Sequence, residues 1–147
     1  LTNGTRKFME NGRFQKYQNS MNKLNAQQIV EDFKNNYFDI NFDIKYQDNI
    51  PAELVGFYKK SHIFVFSFFD KTVSFNNLYQ NYAYQKYIRP TLMYNERFFI
   101  ESEGVKFDYN LHRSLLLKII NKIVIGFKKY YICNKEEEIN EDFKCRT

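Results

Sequence analysis

Pro90, and the alternation that follows it, constrain the fold more than any other part of the chain. Proline has no amide hydrogen to give to a helical ladder, and its ring collides with the carbonyl four residues back. A helix arriving from the N-terminal side is therefore expected to stop at Arg89. Over 105–111 apolar and polar residues alternate strictly, with Val105, Phe107, Tyr109 and Leu111 on one side and Lys106, Asp108 and Asn110 on the other. A period of two is the signature of a half-buried strand. Gly104, preceded by the polar Glu101, Ser102 and Glu103, supplies a turn, and 92–100 supplies the partner strand of a β-ribbon.

Helical periodicity fills most of the remainder. Phe14, Tyr17, Met21 and Leu24, continued by Val30, Phe33 and Tyr37, predict an amphipathic helix over 14–36. Phe75, Leu78, Tyr79, Tyr82, Ala83 and Tyr87 predict a second helix, halted by Pro90. The most regular stripe is Leu115, Leu116, Ile119, Ile120, Ile123, Val124 and Phe127, with Asn110 as its expected N-cap and Lys128 and Lys129 near its negative end. Between the first two helices, 39–46 alternates and 61–69 is rich in β-favouring residues, so these two stretches are expected to pair as a hairpin. The expected fold class is mainly α with a protruding β-ribbon: a bundle of four to five helices, plus a small hairpin inserted at 39–69. A chain of 147 residues makes this one domain, with an insertion over 38–74 and a short acidic tail over 135–147.

Charge and composition narrow the function. The formal net charge is +5, which favours a polyanionic partner. Its distribution is uneven: 61–135 carries 11 Lys or Arg against 5 acids, while 136–147 carries 2 against 5. Asn, Lys, Phe, Ile and Tyr make up 74 of the 147 residues, and their A/T-rich codons suggest a protist or organellar genome. Two cysteines, Cys133 and Cys145, are too few for a disulfide framework and fit a reducing compartment. The longest apolar run, 63–69, is too short to cross a membrane, so no membrane role is expected. No glycine-rich phosphate loop, zinc-ligand spacing or nucleophile elbow is present. His62 and His112 stand alone. The chain is not expected to be an enzyme or to need a cofactor or metal.

Several short motifs occur in a meaningful order. Met9, Glu10, Asn11, Gly12 and Arg13 form a corner surrounded by Arg6, Lys7 and Lys16. Ile88, Arg89, Pro90, Thr91 and Leu92 close a helix, Gly104, Val105, Lys106 and Phe107 turn the ribbon, and His112 and Arg113 open the last helix. This succession resembles the universal small-subunit ribosomal protein seven family, in a divergent mitochondrial form. The resemblance implies a structural protein of an organellar small ribosomal subunit in the mitochondrial matrix. It would bind small-subunit rRNA and neighbouring ribosomal proteins of the subunit head, and reach toward mRNA and exit-site tRNA. The RNA contacts would fall to Arg6, Lys7, Arg13, Lys16, Lys86, Arg89, Arg113, Lys118 and Lys122, acting on phosphate and shape. The family's ribbon is Arg-rich, whereas here Asn95, Glu96, Glu101 and Glu103 surround a single Arg97, so the flanking helices are expected to carry those contacts. A different class competes: an accessory scaffold subunit of an organellar complex without nucleic-acid binding, using strand edges and exposed aromatics.

Overall fold

The computed structural model describes residues 25–37 and 39–139, with side chains described as far as 133. The expected corner at Asn11 and Gly12, the first part of the 14–36 helix and the end of the acidic tail lie outside the described residues. Helix α1 covers 25–36. A meander of four strands follows: β1 (Asn41–Gln47), β2 (Ile50–Tyr58), β3 (Ser61–Ser67) and β4 (Thr72–Ser74). Helix α2 (Asn76–Tyr79), a π-helical turn (Tyr84–Ile88), α3 (Arg89–Asn95) and α4 (Arg97–Glu101) lead to a two-residue strand, β5 (Phe107–Asp108), and the long α5 (Arg113–Ile139). All five strands form one antiparallel sheet in the order β1-β2-β3-β4-β5.

This corrects the expected fold class. The stretch read as an inserted hairpin supplies most of a five-stranded sheet, so the protein mixes helix and sheet rather than being a helical bundle. The expected pair, 39–46 with 61–69, is separated by β2, which each of them borders. Asp48 and Asn49 both have positive φ, at 53° and 65°, and join Gln47 to Ile50 in a two-residue hairpin of the kind these residues favour. Ile50 and Pro51 therefore begin a strand instead of breaking one.

The protruding ribbon is also absent. Its first expected strand, 92–100, is helical, because Ile88, Leu92, Glu96 and Phe99 recur at steps of four and three and all face the interior. Of its return strand only Phe107 and Asp108 pair, and they pair with β4. Val105 and Leu111 stand exposed, while Phe107 and Tyr109 are buried. Gly104, at φ 87°, does turn the chain, in the turn after α4 that the Val105 amide closes on the Ser102 carbonyl at 3.0 Å.

Pro90 does not end a helix. The preceding turn widens to a π-helix, in which the Arg89 amide donates to the Tyr84 carbonyl five residues back, and Pro90 occupies the first turn of α3, where a missing amide hydrogen costs little. Asn81 Oδ1 accepts from the Tyr84 amide at 3.0 Å, restarting the chain after α2. Before α5 it is Asp108, not Asn110, that supplies the side-chain acceptor, taking the Leu111 amide at 2.8 Å.

Register sorts the sheet into two faces. Phe42, Ile44, Leu54, Phe64, Phe66, Val73 and Phe107 share one face and join the core with Val30, Phe33 and Tyr37 of α1. Helix α5 adds Leu116, Ile119, Ile120, Ile123, Val124 and Phe127, the stripe expected from sequence. The opposite face carries a polar row, Glu53–Ser67–Thr72–Asp108. Tyr131 of α5 meets Ser61 of β3 at 3.3 Å.

Gly56 sits directly across from Phe64, whose ring lies over it; a Cβ there would penetrate the ring edge. Phe64 is buried and has nowhere to turn. Gly56→Val is expected to lower stability by about 1–3 kcal/mol through overpacking, read as a fall in the urea midpoint. A loss below 0.5 kcal/mol would mean that Phe64 can move aside.

Candidate interaction surfaces

The expected RNA contacts can be followed one by one. Arg6, Lys7, Arg13 and Lys16 lie outside the described residues. Arg89, in the first turn of α3, donates from Nε to Glu103 Oε1 at 2.6 Å. Arg113, opening α5, donates to Asp32 of α1. Lys122 donates to Glu96, and Lys118 lies 3.4 Å from the same carboxylate oxygen. Lys128 similarly reaches Asp39 at 2.5 Å.

Among the described expected contacts, Lys86 is placed differently. Its ammonium lies 5.5 Å from the Tyr82 ring centre and 5.4 Å from that of Tyr87, on the exposed side of the π-helical turn. The structure therefore does not gather the expected cations into one field. Four of the five described ones are spent on joining elements, and a phosphate approaching them would compete with a carboxylate already in place.

Asp32 is the centre of the most polar of these joints. Its carboxylate accepts from the Tyr109 hydroxyl and from Arg113, and Asn36 Nδ2 donates to its backbone carbonyl at 2.7 Å. Burial, then the neighbouring carboxylate, push the Tyr109 phenol above its ordinary range, and burial does the same to Tyr37 beside it. Both phenols stay protonated at physiological pH, and that of Tyr109 donates to Asp32. They line a cleft where α1 meets α5, and the Arg113–Asp32 pair joins the two helices. Among the described residues no group of three or more His, Cys, Asp or Glu could hold a metal ion, and no helix is long and apolar enough to cross a membrane.

A different surface stands out. Among the described residues β1 pairs with β2 along one side only, and as first in the sheet it presents its other side as an edge. The register shift beside it falls in β2, where Ala52 is the extra residue between Glu53 and Pro51, so β1 itself carries no inserted residue over its seven positions. A cleft of about 760 Å³ adjoins this edge, lined by Ala26 and Val30 of α1, Ile44 and Tyr46 of β1, and Pro51 of β2. Glu31 and Lys34 rim it. Tyr46 is 62% exposed, a large aromatic left in solvent. The alternation of 39–46 gave the strand, but its position at the edge depended on β2, which the sequence hid. Comparison of the chain with known protein families, curated proteins and solved structures finds no match.

Proposed function

We propose that this chain is a non-catalytic protein-binding module, an accessory scaffold subunit of a larger assembly. The observation that carries the reading is β1: a seven-residue edge strand with no inserted residue, beside an apolar cleft, with Tyr46 exposed at their junction. An edge of this kind offers unpaired backbone donors and acceptors that a partner strand can take up, while the cleft accepts its side chains. The paired state of Arg89, Arg113, Lys118 and Lys122 supports the same reading, because it removes much of the charge that an rRNA-binding surface would use.

A second reading keeps the small-subunit rRNA role. It is favoured by one observation, the exposed Lys86 flanked by Tyr82 and Tyr87, which combines a phosphate-seeking cation with rings on which unpaired bases can stack. Photoreactive residues placed singly at Tyr46 and Tyr82, with Asn77 as an exposed control, separate the two in the native host. Protein adducts at Tyr46, above the Asn77 background, are the expected result. RNA adducts at Tyr82, lost steeply as salt rises, would replace the module reading with the rRNA one.

A further inference from the structure

We infer that the partner taken by the β1 edge is a second copy of this chain, joined through an antiparallel two-fold pairing of β1 with β1 centred on Ile44. This rests on the protein-binding reading above. Its basis is the strand's own sequence, Asn41-Phe42-Asp43-Ile44-Lys45-Tyr46-Gln47. Reversed against itself about Ile44, it sets Asp43 opposite Lys45, Phe42 opposite Tyr46, and Asn41 opposite Gln47, each twice by symmetry. Every pair matches like with like in shape, or opposite with opposite in charge.

Parity and charge together select this register. Joining two sheets about a two-fold must keep the inner face of one beside the inner face of the other, so a shift of one residue is excluded. Shifts that respect the faces would centre on Asp43 or on Lys45. Each sets a like charge against itself and shortens the overlap. Only the pairing on Ile44 uses all seven residues and satisfies both charges.

The flanking structure agrees. On the solvent-facing side, Glu53 of β2 stands across from Lys45, so the joined sheet would carry a row of alternating sign: Glu53, Lys45 and then Asp43 of the second copy. On the core side, the exposed Tyr46 ring would lie against Phe42 of the second copy, and both clefts beneath α1 would close along the seam. Charges on an edge strand often serve to repel other edges. A guard of one sign would do so here, but Asp43 and Lys45 alternate in a way that recognises the same strand reversed.

The test is sedimentation equilibrium of the full chain as wild type, Asp43→Lys, Lys45→Asp, the double exchange, and an equimolar mixture of the two single variants. Wild type should double in average mass as concentration rises. Each single variant should dimerise roughly tenfold more weakly or worse, because symmetry turns one substitution into two repelling pairs. The mixture should recover the dimer, since all its cross-strand charges are again opposite, and so should the double exchange. Both substituted positions, Asp43 and Lys45, are exposed, and far-ultraviolet circular dichroism checks that each variant is folded. A wild-type chain that stays monomeric, or a mixture no tighter than its components, would overturn the inference. If the monomeric chain still gives adducts at Tyr46 to another protein, the module reading stands without the dimer. No adduct at Tyr46 at all removes the module reading as well.

Discussion

Phe33→Ala is expected to cost about 3–5 kcal/mol, the range for deleting a fully enclosed aromatic side chain. The Phe33 ring is completely buried and lies 5.0 to 6.0 Å, centre to centre, from Tyr37, Phe42, Phe64, Phe66 and Tyr109. These neighbours come from the end of α1, from β1 and β3, and from the loop after β5. One truncation therefore opens a cavity where four separate parts of the chain meet, and no single neighbour can fill it by relaxing. Against a total stability of about 5–15 kcal/mol, typical of a domain, the variant should sit close to unfolding at physiological temperature. Urea titration reads the loss as a lower midpoint with an unchanged slope. Phe69→Ala is the control: at 69% exposed it should stay within about 0.5 kcal/mol of wild type. A Phe33→Ala loss below about 1 kcal/mol would mean that α1 is not anchored to the sheet as described.

That junction also shows what the sequence made legible. Val30, Phe33 and Tyr37 announced a buried helical face, and the stripe from Leu116 to Phe127 announced another, because each packs on one side only and keeps a clean period. β1 was legible for the same reason. β2 was not, since it lies inside the sheet and its apolar residues no longer alternate: Leu54, Val55 and Gly56 are all buried. An extra residue at Ala52 disturbs the remaining periodicity, and Pro51 imitates a breaker. With β2 missing, 39–46 and 61–69 looked like one small hairpin, and the sheet shrank to an ornament on a bundle.

The region after Pro90 was misread for a reason of charge. A helix with Ile88, Leu92, position 96 and Phe99 on its inner side would have been recognised had position 96 been apolar. It is Glu96, 1% exposed, at the junction of α3 and α4, so a charged residue stands at a buried position and hides the inward-facing set. The same residue accounts for two of the expected RNA contacts. Lys118 and Lys122 project from α5 at a spacing that looks like a basic stripe, and they converge on Glu96. A count of lysines cannot distinguish a cation offered to a ligand from one consumed by a buried acid.

If those two lysines hold Glu96 in the interior, replacing both with methionine should cost about 3–5 kcal/mol at neutral pH, the penalty for stranding a buried charge. Methionine keeps most of each aliphatic stem, so lost packing is a minor part of the effect. The pH dependence supplies the decisive sign. In the wild type, the Lys122 and Lys118 ammonium groups hold the Glu96 carboxyl below its ordinary range, against the opposing effect of burial. A depressed folded pKa gives stability that is present above the unfolded value, about 4.3, and lost as pH falls through the folded one. Without the lysines, burial alone acts and raises the pKa. The variant should then become more stable as pH drops from 7 toward 5, where the wild type shows no gain from this group. Adding Glu96→Leu should restore most of the loss and abolish the slope, because an apolar side chain suits the site once the cations are gone. A double variant within about 0.5 kcal/mol of wild type, or one with no acid-side gain, would free Lys118 and Lys122 for the polyanion contact their spacing advertises.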